Sequence, residues 1–377
     1  MSGNKHVLRP FLLALVALAL IAGACGSDDD GDTEASSSGS ASASASASEP
    51  ASGSASASAS EPADESSGSA SASASEPADD EDAGGDAGAT VTVTDVIGEK
   101  EVPITDENIY ALDEFMGTML LTLGIESTTA AFFEDPLLAP VLEAGAELVP
   151  FGSVESVAVE RPDIILGIGH PNLMEIETEL AGIAPVVLPD FTTDWKDQTR
   201  LTAQVVGREA EADAVIAAVE ARTAELAAEL DAAGLAGSGA AIVQNFGGDY
   251  FFYGPTTVSG AMLADLGFTR SEAQSGSDNF GFIPIGPELV PEETSVPYVF
   301  SIVTTDAVGG TAVGDDPLID PEGRTVAEVA EGWSNNTALG AWIVLNDIEA
   351  IVFERGEVTG LDGATAAFEE LLAAAGG

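Results

Sequence analysis

The 377-residue sequence has one cysteine, two histidines and only eleven lysine and arginine residues. A structural zinc site takes about four Cys or His ligands and a disulfide takes two thiols, so neither is expected within this chain. His170 is the one histidine outside the amino-terminal segment. This scarcity argues against binding of a bare transition metal and against a histidine-dependent active site. The 64 acidic residues bring the formal net charge to −53, which argues against nucleic acid as a partner.

The amino-terminal segment, residues 1–25, has the pattern of a secretory signal. A basic start precedes an uncharged apolar run at 11–22, which is too short for a comfortable membrane span. Small residues then precede Cys25, as in a bacterial lipobox, although alanine stands at 22 where leucine is commoner. The pattern predicts an exported protein with a lipid on Cys25, anchored to the outer face of the cytoplasmic membrane. The alternative is an ordinary cleavage site beside an incidental cysteine.

The next segment, residues 26–89, has fifteen acidic residues, no basic or aromatic residue, and repeated Ser-Ala runs that end in Glu-Pro-Ala. Such a composition cannot bury enough apolar surface to offset the entropy of ordering. We therefore predict a disordered tether that spans a few tens of ångströms, since a flexible coil reaches roughly 5–6 Å × √n.

The remaining 288 residues alternate β-branched apolar runs with helical patterns, which predicts an α/β fold. This length suits two Rossmann-like lobes, at 90–208 and 234–377. Between them, 209–233 is rich in Ala, Glu and Leu, has apolar residues at helical spacing, and is closed by Gly234. It predicts one long helix of roughly 37 Å that joins the lobes. Two shorter helices with a break near Thr223 are the alternative.

Individual elements are predicted from the same patterns. Strands are expected at 109–112, 164–166, 186–188, 240–243 and 298–300, and helices at 114–123, 174–180, 195–206, 258–266 and 338–352.

Several segments resemble one known family in their order and spacing. Gly152-Ser153-Val154-Glu155 precedes the stretch ERPDIIL at 160–166, LAGIAPVV occupies 180–187, and Tyr253-Gly254-Pro255 precedes LADLGF at 263–268. Together they resemble the siderophore and vitamin B12 class of ABC-transporter substrate-binding proteins, whose lobes are joined by one long helix. The likeness covers nearly all of the region from Thr90 to Val352.

The resemblance implies a function without catalysis and without a resident cofactor. The protein would capture an iron(III) siderophore in a cleft between the lobes and deliver it, as a monomer, to an ABC permease for iron uptake. Cobalamin or haem would be the alternative ligand. Glu155 and Glu288 match the family's glutamates, one on each lobe, that dock onto arginines of the permease. Because 49 acidic residues follow the tether, the alternative is that both are ordinary surface charges.

Ligand contacts are predicted from the scarce aromatic residues. Trp195 and Trp333 occupy positions where the family places cleft-lining aromatics. Tyr250 and Tyr253 follow a predicted strand, and ligands of open α/β sheets bind outside the carboxyl ends of strands. Packing within each lobe's core is the alternative for all four. Arg200 is a further candidate contact, with Arg270 and Arg324 as the remaining basic residues that no structural motif explains.

Three further expectations concern the mechanism and its competitors. The unbroken inter-lobe helix predicts a small closing motion and a largely pre-formed cleft. The net charge of −40 after the tether favours a neutral or cationic chelate. The competing functions are an exported α/β hydrolase, which would need His170 as its base, and a surface adhesion protein on a long stalk.

Overall fold

A computed structural model describes residues 88–132, 135, 137–276, 281–303, 316–360 and 363–376. The predicted signal peptide, Cys25 and nearly all of the predicted tether lie outside these residues. The described residues belong to one compact unit. No helix within them has the length and apolar character needed to cross a membrane.

The described strands and helices alternate along most of the chain. The strands are β1 (Thr90–Thr94), β2 (Glu99–Pro103), β3 (Ile109–Ala111), β4 (Thr128–Ala131), β5 (Glu147–Pro150), β6 (Ile164–Leu166), β7 (Val186–Val187), β8 (Ala240–Phe246), β9 (Asp249–Tyr253), β10 (Phe282–Ile285), β11 (Tyr298–Val303) and β12 (Thr325–Ala330). The helices are α1 (Glu114–Thr122), α2 (Ala139–Glu143), α3 (Val154–Glu160), α4 (Pro171–Leu180), α5 (Trp195–Val206), α6 (Glu209–Ala232), α7 (Val258–Asp265), α8 (Val290–Glu293), α9 (Ala338–Phe353) and α10 (Ala364–Ala375). Short 3-10 turns cover Glu272–Gln274 and Glu331–Ser334.

Lobe 1 contains a five-stranded sheet in the order β5-β4-β3-β6-β7, and every neighbouring pair is parallel. The three residues of β3 and the three of β6 are all buried. Continuous apolar runs of this kind are expected where helices cover both faces of a parallel sheet. The hairpin β1-β2 lies apart from this sheet and is fixed to lobe 1 by Lys100, whose Nζ lies 2.9 Å from Asp95 and 3.4 Å from Glu177.

Lobe 2 contains a mixed sheet in the order β10-β9-β8-β11-β12. Strands β8, β11 and β12 are parallel, whereas β9 and β10 are antiparallel to their neighbours. Gly247 and Gly248 have φ of 64° and 111°, which lets a two-residue turn fold β9 back onto β8. Tyr250 and Tyr253 follow β8, as the sequence predicts, and both lie within the antiparallel strand β9.

Helix α6 runs unbroken for 24 residues between the lobes, which confirms the prediction of one long helix. Thr223 does not interrupt it. Its hydroxyl donates to the carbonyl oxygen of Val219 at 2.8 Å, so the polar group is satisfied within the helix. Gly234, with φ of 71°, follows the carboxyl end and supplies the left-handed conformation that terminates many helices.

One hydrophobic core extends from lobe 1 through α6 into lobe 2. Leu142 beside the lobe 1 sheet, Val215 and Val219 on α6, and Leu339 and Ile343 on α9 belong to the same buried cluster, and each is at most 2% exposed. Because burial of each such side chain contributes about 1.5–3 kcal/mol, separating the lobes along this side would expose a large part of the core. The lobes are thus joined by shared packing as well as by the chain.

We predict that Asp347 on α9 is a strong determinant of stability in lobe 2. Its wholly buried carboxylate accepts from Trp333 Nε1 at 2.7 Å and from the amide of Thr359 at 2.6 Å. Asp347→Ala would leave two buried donors unpaired, at about 1–3 kcal/mol each. Denaturant unfolding should therefore show a loss of several kcal/mol for this variant and a small change for Asn346→Ala, its less buried neighbour. Equal losses would contradict the assignment.

Candidate functional site

A narrow crevice separates the lobes on the side where β7 and β12 end. It is closed to a water-sized sphere in this conformation, with about 180 Å³ of unfilled space that is partly open to solvent. Neutral residues line it from both lobes: Phe191, Thr256, Thr257, Phe282, Ser334 and Asn336. Phe191 follows β7 in lobe 1, and Ser334 and Asn336 follow β12 in lobe 2. The crevice therefore lies at the carboxyl ends of these strands, where open α/β sheets bind their ligands.

Asn336 closes this crevice by linking the lobes directly. Its Nδ2 donates to the carbonyl oxygens of Phe191 and Thr193, at 3.4 and 3.3 Å. Ligand pockets usually measure about 300–1,000 Å³, and the crevice is smaller. In this conformation the amide of Asn336 holds the rim of lobe 2 against the loop after β7, and the largely pre-formed cleft stays a prediction.

Two polar groups beside the crevice lack hydrogen-bond partners among the described residues. Asn335 is wholly buried, yet neither its side-chain nitrogen nor its oxygen is paired, and the hydroxyl of Thr256 is likewise unpaired. Unsatisfied buried groups are rare in folded proteins and often mark places where a ligand or water completes the hydrogen bonding. Both residues lie on or next to the lobe 2 wall of the crevice.

Partly buried phenylalanines form the aromatic edge of both lobes. In lobe 1, the rings of Phe132 and Phe151 lie 4.5 Å apart, centroid to centroid, and those of Phe115 and Phe191 lie 6.5 Å apart. In lobe 2, Phe282 packs edge-on against Tyr253 at 5.1 Å. The sequence analysis missed these residues because it searched for tryptophan and tyrosine. The available signal was position, since Phe132 and Phe151 directly follow β4 and β5.

The two predicted tryptophans lie in the core instead of on the crevice wall. Trp195 begins α5 and is 2% exposed, within the cluster that includes α6. Trp333 has no exposed surface, lies 4.8 Å from the ring of Phe300 and donates to Asp347. Both rings are buried in this conformation, as the alternative of packing within a lobe's core expects. A ligand contact through either ring stays a prediction.

The two predicted tyrosines are also buried, and each hydroxyl has a protein partner. Tyr250 bonds to both carboxylate oxygens of Asp316 at 2.9 Å, and burial together with that carboxylate raises the pKa of Tyr250 to about 12. Tyr253 donates to Gln244, and burial raises its pKa well above the usual value. Tyr253 supports Phe282 from behind the crevice wall, whereas Tyr250 lies at the hairpin end of β9 and not among the crevice-lining residues.

The remaining predicted residues are exposed and lie away from the crevice. Arg200 pairs with Asp197 on α5, at 3.2 Å, and is not one of the crevice-lining residues. Glu155 lies in the first turn of α3, where hydrogen bonds from Ser153 and from its own amide hold its pKa below the usual value. Glu288 lies in the turn before α8. The structure thus brings none of these three side chains to the candidate ligand site.

Two carboxyl groups, the half-buried Glu331 of lobe 2 and the buried Asp135 of lobe 1, lie close to the segments that line the crevice. Glu331 begins the 3-10 turn that ends at Ser334, and burial together with the negative charge of Asp135 raises its pKa to about 8. Burial also raises the pKa of Asp135, against hydrogen bonds from the amides of Leu137 and Leu138. The neighbouring residues approach each other across the lobe boundary, since a Cβ added at Gly332 would lie 3.4 Å from Leu137.

A second pair of carboxyl groups begins α1. Asp113 is wholly buried and accepts from the amides of Met116 and Ile168 at 2.8 and 2.9 Å. Burial raises its pKa to about 7. Glu114 accepts from the amides of Phe132 and Asp135 and so ties α1 to the segment that follows β4.

The described residues were searched for side chains that could bind a metal ion or act as a catalytic base. They contain no group of three or more His, Cys, Asp or Glu side chains arranged to hold a metal ion. His170 caps α4, with Nδ1 accepting from the amide of Asn172 at 3.3 Å, and burial lowers its pKa. Because Nδ1 already accepts the hydrogen bond that caps the helix, it is not placed to act as a catalytic base, which weakens the hydrolase alternative. A wider depression in lobe 1 lies at the amino ends of β3, β4 and β5, opposite to the usual ligand end of such sheets.

Known proteins match the chain over most of this architecture. A family profile described as periplasmic binding protein matches residues 149–300. The "Probable siderophore-binding lipoprotein YfiY" of Bacillus subtilis is 26% identical over 236 residues, which cover 58% of this chain and 71% of the relative. Among solved structures, the FhuD protein from S. pseudintermedius has a TM-score of 0.58 at 16% identity, covering 70% of this chain and 98% of that one.

A second solved structure has a similar fold. Staphylococcus aureus SirA, solved with staphyloferrin B, has a TM-score of 0.56 at 18% identity, covering 70% of this chain and 99% of that one. Two α/β lobes joined by one long helix are the architecture that this chain shares with these structures. Over residues 149–300 the chain is thus similar to the periplasmic binding protein family, and its fold is that of the two solved structures.

We predict that Glu331 makes stability fall with rising pH. A carboxyl group whose pKa is higher in the folded state binds its proton more tightly there, so stability declines from about pH 4.5 until about pH 8. Glu331→Gln removes this cost. Because one pKa unit corresponds to about 1.4 kcal/mol, the variant should exceed the native protein by about 1 kcal/mol or more at pH 8 and match it near pH 4.5.

Thermal unfolding across this pH range measures the effect. The matched control is Glu328→Gln, an exposed glutamate on the preceding strand β12, which should follow the native curve. A parallel response of both variants would contradict the role of burial at Glu331.

Proposed function

We propose that the protein captures an iron(III) siderophore in the inter-lobe crevice and delivers it to an ABC permease for iron uptake. The observation that carries this proposal is the crevice itself. It lies between two lobes joined by α6 and is faced by Phe191 from lobe 1 and Phe282 from lobe 2. The printed description of the B. subtilis relative, a siderophore-binding lipoprotein, supports the same ligand class.

The crevice chemistry suits a chelated ion better than a bare one. A siderophore complex presents apolar linkers and neutral oxygen and nitrogen atoms on its outside, while the metal is already coordinated. Phenylalanine rings bury the apolar portions, and the hydroxyls of Thr256 and Ser334 with the amides of Asn335 and Asn336 can bond the polar atoms. The unpaired groups of Asn335 and Thr256 would then gain partners. Cobalamin or haem in the same crevice is the alternative.

Export and anchoring complete the proposal. Lipidation of Cys25 would hold the protein at the outer face of the cytoplasmic membrane, and the acidic segment 26–89 would let the lobes reach the permease as a monomer. The lipoprotein description of the relative supports this location. No catalytic step is required, because the bound complex is transferred unchanged.

Docking on the permease is proposed for Glu155 and Glu288. Each carboxylate is exposed and has a large exposed apolar neighbour. Val159, one turn from Glu155 on α3, is 74% exposed, and Leu289, adjacent to Glu288, is 46% exposed. An ionised carboxylate can form a charge-assisted pair with arginine, and the neighbouring apolar surface can be buried at the same contact. Both lobes thus offer the same combination.

Binding is tested with ferric siderophores, cobalamin and haem, by intrinsic fluorescence and by melting temperature. A specific ligand at a hundred times its Kd should stabilise the fold by about 2.7 kcal/mol. We expect at least one ferric siderophore to do so. No response from any siderophore at concentrations far above micromolar would reject the proposed ligand class, and a response to cobalamin or haem alone would select the alternative.

Docking is tested by the paired substitution Glu155→Lys with Glu288→Lys. Cellular uptake of the iron complex should be abolished while the dissociation constant of the ligand is unchanged, because neither side chain lies at the crevice. The matched control is Glu160→Lys, an exposed change on α3, with near-normal uptake. Normal uptake by the double variant would show that these glutamates are only surface charges.

A further inference from the structure

The crevice has no ionisable residue in its lining. Its six lining residues are phenylalanine, threonine, serine and asparagine. The nearest titratable groups with a direct structural link to it are acidic. Glu331 lies in the same short turn as Ser334, whose hydroxyl donates to the Glu331 carbonyl oxygen at 2.7 Å, and the charge of Asp135 in lobe 1 acts on Glu331. A negative charge that entered this space would meet no cation in the lining.

All nine lysine and arginine residues after the signal segment are described, so the location of every cation in the lobes is known. Six pair with carboxylates: Lys100, Lys196, Arg200, Arg208, Arg222 and Arg355. Arg161 is exposed at the end of α3. Arg324 donates to the carbonyl oxygen of Thr294 at 2.9 Å, near the start of β12 and therefore at the opposite end of the lobe 2 sheet.

Arg270 is the one remaining lysine or arginine, and its guanidinium bonds a backbone carbonyl oxygen. It is partly buried beside Gly260 in the first turn of α7 and donates to the carbonyl oxygen of Tyr253. The guanidinium therefore lies behind the wall that carries Thr257 and Phe282. A single cation held in this way cannot compensate a chelate with several negative charges, and burial of uncompensated charge is costly.

We propose that the crevice selects iron(III) chelates of zero or positive net charge, of the trihydroxamate kind, and discriminates against anionic catecholate and carboxylate chelates. The inference rests on the proposed function and specifies its substrate class. Three hydroxamate groups balance the charge of Fe³⁺, and such complexes are neutral unless a side group is charged. Neutral polar groups of the crevice can bond their outer oxygens without any counter-ion.

The test varies ligand charge while the metal centre stays the same. A linear trihydroxamate with a terminal amine is used free, acetylated and succinylated, so that its iron(III) complex carries one positive charge, none, or one negative charge. Titration of the full mature protein should show at least tenfold tighter binding of the cationic complex than of the anionic one. The difference should shrink as added salt shortens the reach of charges, to about 10 Å at 0.1 M.

A tris-catecholate iron(III) complex with three negative charges is measured beside this series. We expect it to bind more weakly than every trihydroxamate. Equal or tighter binding of the succinylated or the catecholate complex would overturn the charge selection and leave siderophore binding intact. Failure of all these complexes and of other ferric siderophores to bind would instead reject the proposed function, so the two failures are distinguishable.

Arg270→Gln provides the residue-level check, with Arg324→Gln as its matched control. Both arginines bond a backbone carbonyl, but only Arg270 lies near the crevice. We expect the order of affinities in the charge series to be the same in the native protein and in both variants. Selective loss of anionic binding in Arg270→Gln would overturn the proposal, because Arg270 would then be an anion anchor.

Discussion

The shared core around α6 is the constraint on which the rest of the structure depends. A free helix would let the lobes rotate, but α6 packs simultaneously on lobe 1 and on lobe 2, and Val215 and Val219 lie in the same cluster as Leu142 and Ile343. Separating the lobes on this side would return buried apolar surface to water. Movement is therefore confined to the opposite side, where the crevice lies.

The crevice side is held by weaker and more local contacts. Asn336 bridges the lobes through two hydrogen bonds of 3.3 and 3.4 Å, and these are long for N–H to oxygen bonds. A ligand that replaces them with its own oxygens can enter by moving the loop after β7 and the segment 334–336. Room for a chelate then comes from short segments at the rim, and the helix and shared core keep their positions. Because the lining is neutral and contains no cation, chelates of zero or positive charge gain most from this exchange.

Sequence patterns were sufficient to predict the α/β lobes and the long helix, because these elements follow simple patterns of apolar residues. Continuous apolar runs predicted β3 and β6, and the uninterrupted Ala-rich stretch predicted α6 to within one residue. Strands β1, β2, β4, β5, β9, β10 and β12 were missed. Strand β4 is Thr-Thr-Ala-Ala, which carries no apolar run, and the fold of β9 onto β8 depends on the left-handed glycines at 247 and 248.

The site was less predictable than the fold because residue type did not indicate burial. Trp333 was expected on the cleft surface. Its indole nitrogen instead donates to the buried carboxylate of Asp347. This contact depends on tertiary packing, which one sequence does not reveal. Phe191 and Phe282 come together only when the two lobes are assembled. Contacts between residues about 90 positions apart leave no periodic signal in one sequence.

The distance between the lobes, with and without bound ligand, tests the central claim most directly. Spin labels on cysteines introduced at Glu179 in lobe 1 and Glu322 in lobe 2, both exposed, report this distance once Cys25 is replaced by serine. The account predicts that saturation with ligand shifts the mean distance by no more than about 2 Å, the scale of movements between packed helices. A shift several times larger, as in binding proteins that close on a flexible hinge, would contradict the claim that α6 and its shared core fix the lobes.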